Sequence, residues 1–417
     1  MARRSAQYEV FLDDSSFGPP VRVGALRRDL ARRDLPGRFA YDEAWLKTPG
    51  AFMLDPRLSL WRGEQHPVGP AGFGVFLDSA PDRWGRLLME RREATSARRE
   101  RRPLVQLFEM DFLLGVQDET RTGALRFRQL DGPFLAQSEF AVPPVSRLAE
   151  LAAVVRHIEE PRAEALPEYE RWLAMLVAPG SSLGGARPKA NFRDDDGTLW
   201  IAKFPARDDR YDVGAWEYVL HRLAVAAGID VPAAGLADLG EYRTFRVKRF
   251  DRAGGRRRMY ASAMTLLERQ DGESGASYLD IAEFIASTGA ADTIRGDLAQ
   301  LFRRVVFNVL TGNRDDHLRN HGFVATPDGW RLAPAFDLNP APAKLEHTLL
   351  LDAGSGVPRL DAIVGTAPYY RLDPGRARAI VDEVAGAVAG WRQVAAQAAG
   401  LAGSEIERMS PVFDVAY

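Results

Sequence analysis

The apolar positions of this chain gather into a few patterned stretches. In Leu301-Phe302-Arg303-Arg304-Val305-Val306-Phe307-Asn308-Val309-Leu310, apolar pairs recur at steps of four, which predicts a helix buried on one face. Thr311-Gly312-Asn313 is a helix stop, so Asp315 is expected in a loop carried by a rigid element. Residues 321–324 and 330–332 are short strand-like runs joined around the turn Pro327-Asp328-Gly329. Upstream, residues 199–204 predict a strand entered through Asp195-Asp196-Gly197, and residues 244–247 predict another. Trp216, Val219, Leu220, Leu223, Ala224 and Ala227 form the apolar stripe of a helix that begins near Glu217 and ends at Gly228.

These elements arrange the chain into regions. Residues 1–140, opening with the strand-like Tyr8-Glu9-Val10-Phe11-Leu12, carry short strands between Gly and Pro turns and a helix over 81–92, the pattern of a small mixed α/β domain. Residues 133–144 supply a boundary. A second region, 145–255, ends where Arg252-Ala253-Gly254-Gly255-Arg256 interrupts the pattern. From 256 to 417 helices dominate, including one over 377–394. The 417-residue length fits two or three domains.

Composition narrows the classes. A net charge of -2 and a pI near 6.4 exclude a uniformly basic nucleic-acid binder. The absence of cysteine excludes disulfides, zinc-thiolate sites and thiol nucleophiles. No apolar run is long enough to span a bilayer, and Met-Ala-Arg-Arg-Ser-Ala-Gln has no apolar signal-peptide core after it, so a cytoplasmic enzyme with no membrane partner is expected. The arginines at 91, 92, 98, 99, 101 and 102 are interleaved with Glu90, Glu93 and Glu100, which reads as a solvated helix face. Only five of the 55 cationic residues are lysine: Lys47, Lys189, Lys203, Lys248 and Lys344. Where Arg serves almost everywhere, a retained Lys points to work for a compact ammonium.

The densest chemistry is Asn313-Arg314-Asp315-Asp316-His317-Leu318-Arg319-Asn320, with Asp337 beyond the predicted hairpin. A carboxylate to accept a hydroxyl proton, an amide oxygen and a second carboxylate for magnesium are the parts of a phosphoryl-transfer site that uses ATP and Mg2+. Lys203, on its strand, is placed to meet nucleotide phosphates. Glu217 is either the acidic partner of that lysine or a favourable charge in a helix's first turn. Gly180-Ser181-Ser182-Leu183-Gly184-Gly185-Ala186-Arg187-Pro188-Lys189 lacks the Gly-Lys-Ser/Thr ending of a Walker A loop. It is either a connector or a loop whose amides, at Gly184 and Gly185, approach phosphate beside Lys189. The backbone of Arg249 and Phe250, after the strand at 244–247, suits a link between lobes that meets an adenine edge. His317 and His321 have a four-residue spacing that also occurs in metal sites, but the H-E-x-x-H pattern of a metallohydrolase is missing.

These motifs, with Phe76 to Gly85, Asp111 to Gly115 and Gly123 to Phe127, resemble in order the HipA family of bacterial serine/threonine kinases, and the resemblance covers almost the whole chain. It implies an α+β, protein-kinase-like two-lobed core with a mostly helical C-terminal lobe, preceded by the small N-terminal domain. It implies Asp315 as the catalytic carboxylate, Asn320 and Asp337 as magnesium ligands, and Lys203 on the phosphates. His317 would lie beside the phosphates, or it is a loop histidine that only makes hydrogen bonds. Ser182 matches the family's autophosphorylated serine, with Ser181 one residue away. The implied role is the toxin of a toxin–antitoxin pair with a HipB-like antitoxin, DNA being met only through that partner. The implied protein substrate is translation-related, such as an aminoacyl-tRNA synthetase. The alternative is a catalytically silent kinase-like binding protein in an antitoxin–DNA repressor complex.

Overall fold

A computed structural model describes residues 5–69, 71–135, 142–177 and 185–414. The chain divides into two compact units, residues 1–207 with 251–261, and residues 208–250 with 262–417.

The first unit begins with an antiparallel sheet of β1 (Ser5–Leu12), β2 (Val21–Asp29), β3 (Arg38–Tyr41) and β4 (Leu125–Gln129), in the order β3-β2-β1-β4. Alternation along the strands buries Val10, Leu12, Val23, Leu26, Phe39, Leu125 and Phe127 on one face. Phe76, on the short helix Gly74–Asp78, packs over that face, 5.5 Å from Phe39 and 5.9 Å from Phe127 between ring centroids. Arg121 is fully buried and donates to the carbonyls of Ser79, Leu113 and Val116 at 3.0, 2.8 and 3.0 Å, while its guanidinium covers Phe127. Burial pulls its pKa down to about 9. Along the arginine-rich helix Arg83–Glu100 and the residues after it, Arg98, Arg99 and Arg101 are exposed, Arg99 pairing with Glu170 and Arg102 with Glu93 and Glu100. Arg91 and Arg92 are instead half-buried, and Arg91 donates to Ile158 O at 3.1 Å.

The unit closes with the antiparallel pair β5 (Lys189–Arg193) and β6 (Leu199–Lys203), joined by a tight turn in which Gly197 has φ 77°. The boundaries expected at 140–145 and 255 both fall inside this unit. Asp251 accepts from the amide of Gly123 at 2.8 Å, Arg252 donates to the carbonyls of Glu119 and Arg121 at 3.1 and 2.7 Å, and the Met259 amide donates to Asp14 at 2.7 Å. Those long-range bonds fasten residues 251–261 to the N-terminal sheet.

In the second unit, the helix Val213–Ala226 starts earlier than its apolar stripe, because Asp212 caps it by accepting from the Ala215 amide at 2.9 Å. Its Trp216 is fully buried against Trp391 and Phe413, whose own rings stack at 4.2 Å. β7 (Ala234–Ala237) and β8 (Thr244–Lys248) form an antiparallel pair. The expected helix over 377–394 is Pro374–Ala389, closed at Gly390. The central helix Ile294–Leu310 is buried over its last ten residues. Two arginines of this buried stretch reach backbone carbonyls: Arg303 donates to Ala227 O at 2.8 Å and Arg304 to Ala333 O at 2.7 Å. No helix among the described residues is long and apolar enough to cross a membrane.

Candidate functional site

The central helix ends where the sequence predicts. Thr311 is its C-cap, and Gly312 turns the chain at φ 59°. A Cβ at Gly312 would lie 2.2 Å from Val412 Cγ1, so both the backbone conformation and the close approach require glycine. Asn313 then returns to the helix, its amide on Asn308 O at 2.9 Å and its side-chain Nδ2 on Asn308 Oδ1 at 3.0 Å.

Beneath the loop lies a buried polar network. Asp316 Oδ2 accepts from Tyr278 Oη at 2.6 Å and Asn308 Nδ2 at 2.8 Å, and is 2.7 Å from His321 Nε2. Burial by itself raises the carboxyl pKa, but the charge and hydrogen bond of His321, with the bond from Tyr278, hold it below the ordinary carboxylate value. Burial and the neighbouring Asp316 drive the Tyr278 phenol well above its ordinary value, so it stays a donor. His321 is committed to this network and not to a metal pair with His317. The signal for the network was Asn308, a polar residue inside the apolar run Val305–Leu310; Asp316 and Tyr278 had gone unassigned.

Above the network the loop presents its chemistry. The Asp315 side chain is 64% exposed, and its only partner among the described residues is Lys344 Nζ, on Oδ1. His317 is half-buried with Nδ1 unpartnered. A single 3-10 turn, Leu318–Asn320, brings in Asn320, whose side-chain Oδ1 is buried and accepts no hydrogen bond from the described residues. The hairpin Gly322–Thr326/Gly329–Leu332 then leads to Asp337, which sits in the left-handed region at φ 60°. A non-glycine residue held there costs on the order of 1–3 kcal/mol, a strain typical of functional sites. Asn339 Nδ2 lies 3.4 Å from Asp337 Oδ1. Phe336, next to Asp337, stacks on Phe250 with centroids 5.5 Å apart, and Arg249 is buried.

The orphaned amide oxygen of Asn320 and the carboxylate of Asp337 are donors of the kind a hard cation takes. Among the described residues no group of three or more His, Asp or Glu could hold a metal by itself. Magnesium does not need one, since it binds through one or two protein oxygens and completes its shell with water and phosphate.

Glu217 is 3% exposed and lies in the second turn of Val213–Ala226, so it is not a first-turn surface charge. A carboxylate at that depth requires a compensating partner. In the other unit, Lys203 is 8% exposed at the end of β6. Lys189 is buried, donating to Asp82 Oδ2 at 2.7 Å and to Gly185 O at 3.1 Å; Gly185 has φ 93°. Its charge is thus already matched by Asp82, the N-cap of Arg83–Glu100. Ser181, Ser182 and Gly184 lie outside the described residues.

Known proteins resemble this chain along its length. The profile of the HipA-like C-terminal domain matches residues 181–391. A Shewanella oneidensis protein named serine/threonine-protein kinase toxin HipA is 27% identical over 263 residues, 55% of this chain and 59% of that protein. A Haemophilus influenzae protein that bears the name of a kinase is 31% identical over 152 residues, 32% of this chain and 44% of its own length. Each curated relative is therefore matched over less than two thirds of its length. The fold matches the Shewanella oneidensis toxin–antitoxin structure of HipA, HipB and operator DNA with a TM-score of 0.65 at 19% identity, over 98% of this chain and 100% of that one.

Proposed function

The chain belongs to the HipA family, and from that membership we propose that it is an ATP- and magnesium-dependent protein serine/threonine kinase, the toxin of a toxin–antitoxin pair. The acceptor oxygen forms a bond to the γ-phosphorus, the bond from that phosphorus to the bridging oxygen breaks with its electron pair leaving on ADP, and Asp315 takes the hydroxyl proton. Lys203 meets the phosphates as a point charge, Glu217 is its acidic counterpart, and His317 lies at the phosphates. The amides at Gly184 and Gly185 would approach the phosphates with Lys189, the first residue of β5, nearby, and the Arg249–Phe250 backbone takes the adenine edge. Asn320 and Asp337 would hold magnesium, which when bound neutralises the triphosphate. Ser182 is the proposed site of self-phosphorylation. The protein substrate is proposed to be translation-related, with an aminoacyl-tRNA synthetase as the leading class. A HipB-like antitoxin is the proposed partner, as in the Shewanella complex, and DNA is met through it.

The observation that carries this reading is the buried, unpartnered Oδ1 of Asn320, five residues after the exposed carboxylate of Asp315. A catalytically silent protein in an antitoxin–DNA repressor complex has no use for an amide oxygen desolvated without a partner, which costs about 1–3 kcal/mol. The test is phosphate transfer from labelled ATP into proteins of a bacterial lysate, with magnesium. Wild type should transfer, while Asp315→Ala and Asp337→Ala should lose at least about 100-fold of the rate with unchanged melting temperatures. A wild-type protein that transfers nothing, together with Asn320→Ala that binds nucleotide as wild type does, would leave the silent reading.

A further inference from the structure

Lys344 lies outside every motif described above, yet it is one of the five lysines and it sits on Asp315. Its ammonium donates to Asp315 Oδ1 and, at 2.9 Å, to Thr348 Oγ1. The Thr348 hydroxyl and amide both donate to Arg314 O at 3.0 Å, and Arg314 Nη1 donates to Lys344 O at 2.8 Å. The Ala341 amide reaches Gly312 O at 2.9 Å. Residues 341–348 are thereby clamped along residues 312–315, through four bonds apart from the ion pair, each of which uses a backbone group on at least one side.

Stability does not explain the pair. Its side chains are 44% and 64% exposed, and ion pairs so open contribute about 0–1 kcal/mol. What it does is geometric. Asp315 Oδ1 is held and Oδ2 has no partner among the described residues, so one oxygen is restrained while the other stays open. An arginine there would bind both carboxylate oxygens as a fork and close the one an acceptor needs, whereas an ammonium is a point donor. That accounts for a lysine in a chain that otherwise uses arginine.

We propose that Lys344 is a positioning residue for phosphoryl transfer, holding Asp315 by one oxygen so that the other receives the proton of the acceptor hydroxyl. This rests on the kinase reading: as the hydroxyl oxygen bonds to the γ-phosphorus and ADP leaves with the electron pair of the broken bond, the proton passes to Oδ2.

The experiment compares purified full-length wild type, Lys344→Ala, Lys344→Arg, Thr348→Val and Asp315→Ala in phosphate transfer from labelled ATP, with the ATP dissociation constant and melting temperature measured for each. Lys344→Ala should lose about 100-fold in kcat, the size of a misplaced reacting group, with KM for ATP, ATP affinity and melting temperature unchanged. Lys344→Arg should not restore the rate, and Thr348→Val should fall between. A Lys344→Ala rate within twofold of wild type overturns the inference, as does a rate above wild type, which would make the lysine a plug. Wild-type turnover in Lys344→Arg overturns it too, since charge alone would then suffice. So does a loss that follows lowered ATP affinity or melting temperature. Asp315→Ala separates the two levels: if it still turns over, or if wild type transfers nothing, the kinase site itself is wrong and the inference falls with it.

Discussion

Lys189 and Lys203 stand directly opposite each other as register partners across β5 and β6. Both are buried, and two like charges at facing positions of a sheet repel unless each is compensated. For Lys189 the compensation is Asp82, 107 residues earlier in the chain. With Lys189 held in this way, Lys203 is the lysine of the facing pair that we propose meets the nucleotide.

The crowding makes the first prediction specific. Lys203→Arg should weaken ATP binding about ten- to hundredfold, nearly as much as Lys203→Ala, the range expected for one lost charge-assisted hydrogen bond. A planar fork opposite Lys189 cannot reproduce a compact ammonium. Isothermal titration with a non-hydrolysable ATP analogue and magnesium checks it, and wild-type affinity in the Arg variant would contradict the argument from lysine scarcity.

The second prediction concerns the network under the catalytic loop. Asp316→Ala removes the acceptor shared by Tyr278, Asn308 and His321, all of them buried. Leaving a buried hydrogen-bonding group without its partner costs about 1–3 kcal/mol, so the variant should unfold at lower urea. The folded-state carboxyl pKa is depressed, so this stabilisation is present above the unfolded value of 3.8 and is lost as pH falls through the folded one. Urea melts of wild type and variant at neutral pH measure the cost, and equal midpoints would remove the network from the list of stabilising features.

Local pattern made much of the site readable. Asp315 and Asn320 follow a helix and its stop, Asp337 follows the hairpin next in sequence, and Lys203 ends a strand framed by its own turn. What escaped depends on partners far away in the chain. Tyr278 meets Asp316 across 38 residues and Lys344 meets Asp315 across 29, and no periodicity encodes such meetings. The start of Val213–Ala226 was hidden because its first turn holds Gly214 and its cap is Asp212, while the apolar stripe begins only at Trp216. Arg252-Ala253-Gly254-Gly255-Arg256 reads as an interruption between regions, yet Asp251 and Arg252 tie this segment to Glu119, Arg121 and Gly123.

The third prediction is a pH dependence from His347. Its ring is buried and neither nitrogen has a hydrogen-bond partner among the described residues. Burial, with a smaller opposing pull from Asp316 and a push from Arg314, takes its pKa down to about 4 from 6.5. The unfolded chain therefore takes up a proton before the folded one does as pH falls. Stability from the neutral ring is complete above 6.5 and is lost as pH falls toward about 4, by about 3 kcal/mol in all. Unfolding free energies at pH 7.5, 6.0 and 4.5 should show this decline, and His347→Leu should flatten that part of the curve. An identical slope in the variant would assign the decline to other groups.

The last prediction is regulatory. Ser182 lies outside the described residues, in the Gly-Ser stretch that leads into Gly185 and β5. We propose that its hydroxyl serves as acceptor for another copy of the enzyme. A phosphoserine there would bring about -1.5 to -2 charges against the ATP phosphates and disfavour the nucleotide-bound loop. Active protein incubated with magnesium and ATP should therefore accumulate one phosphate on Ser182 and then bind ATP poorly, while Asp315→Ala should remain unmodified. Ser182→Ala should escape this self-limitation. Intact-mass and peptide mass spectrometry decide the matter: phosphate confined to Ser181 moves the site by one residue, and none on either serine of a demonstrably active enzyme removes the mechanism.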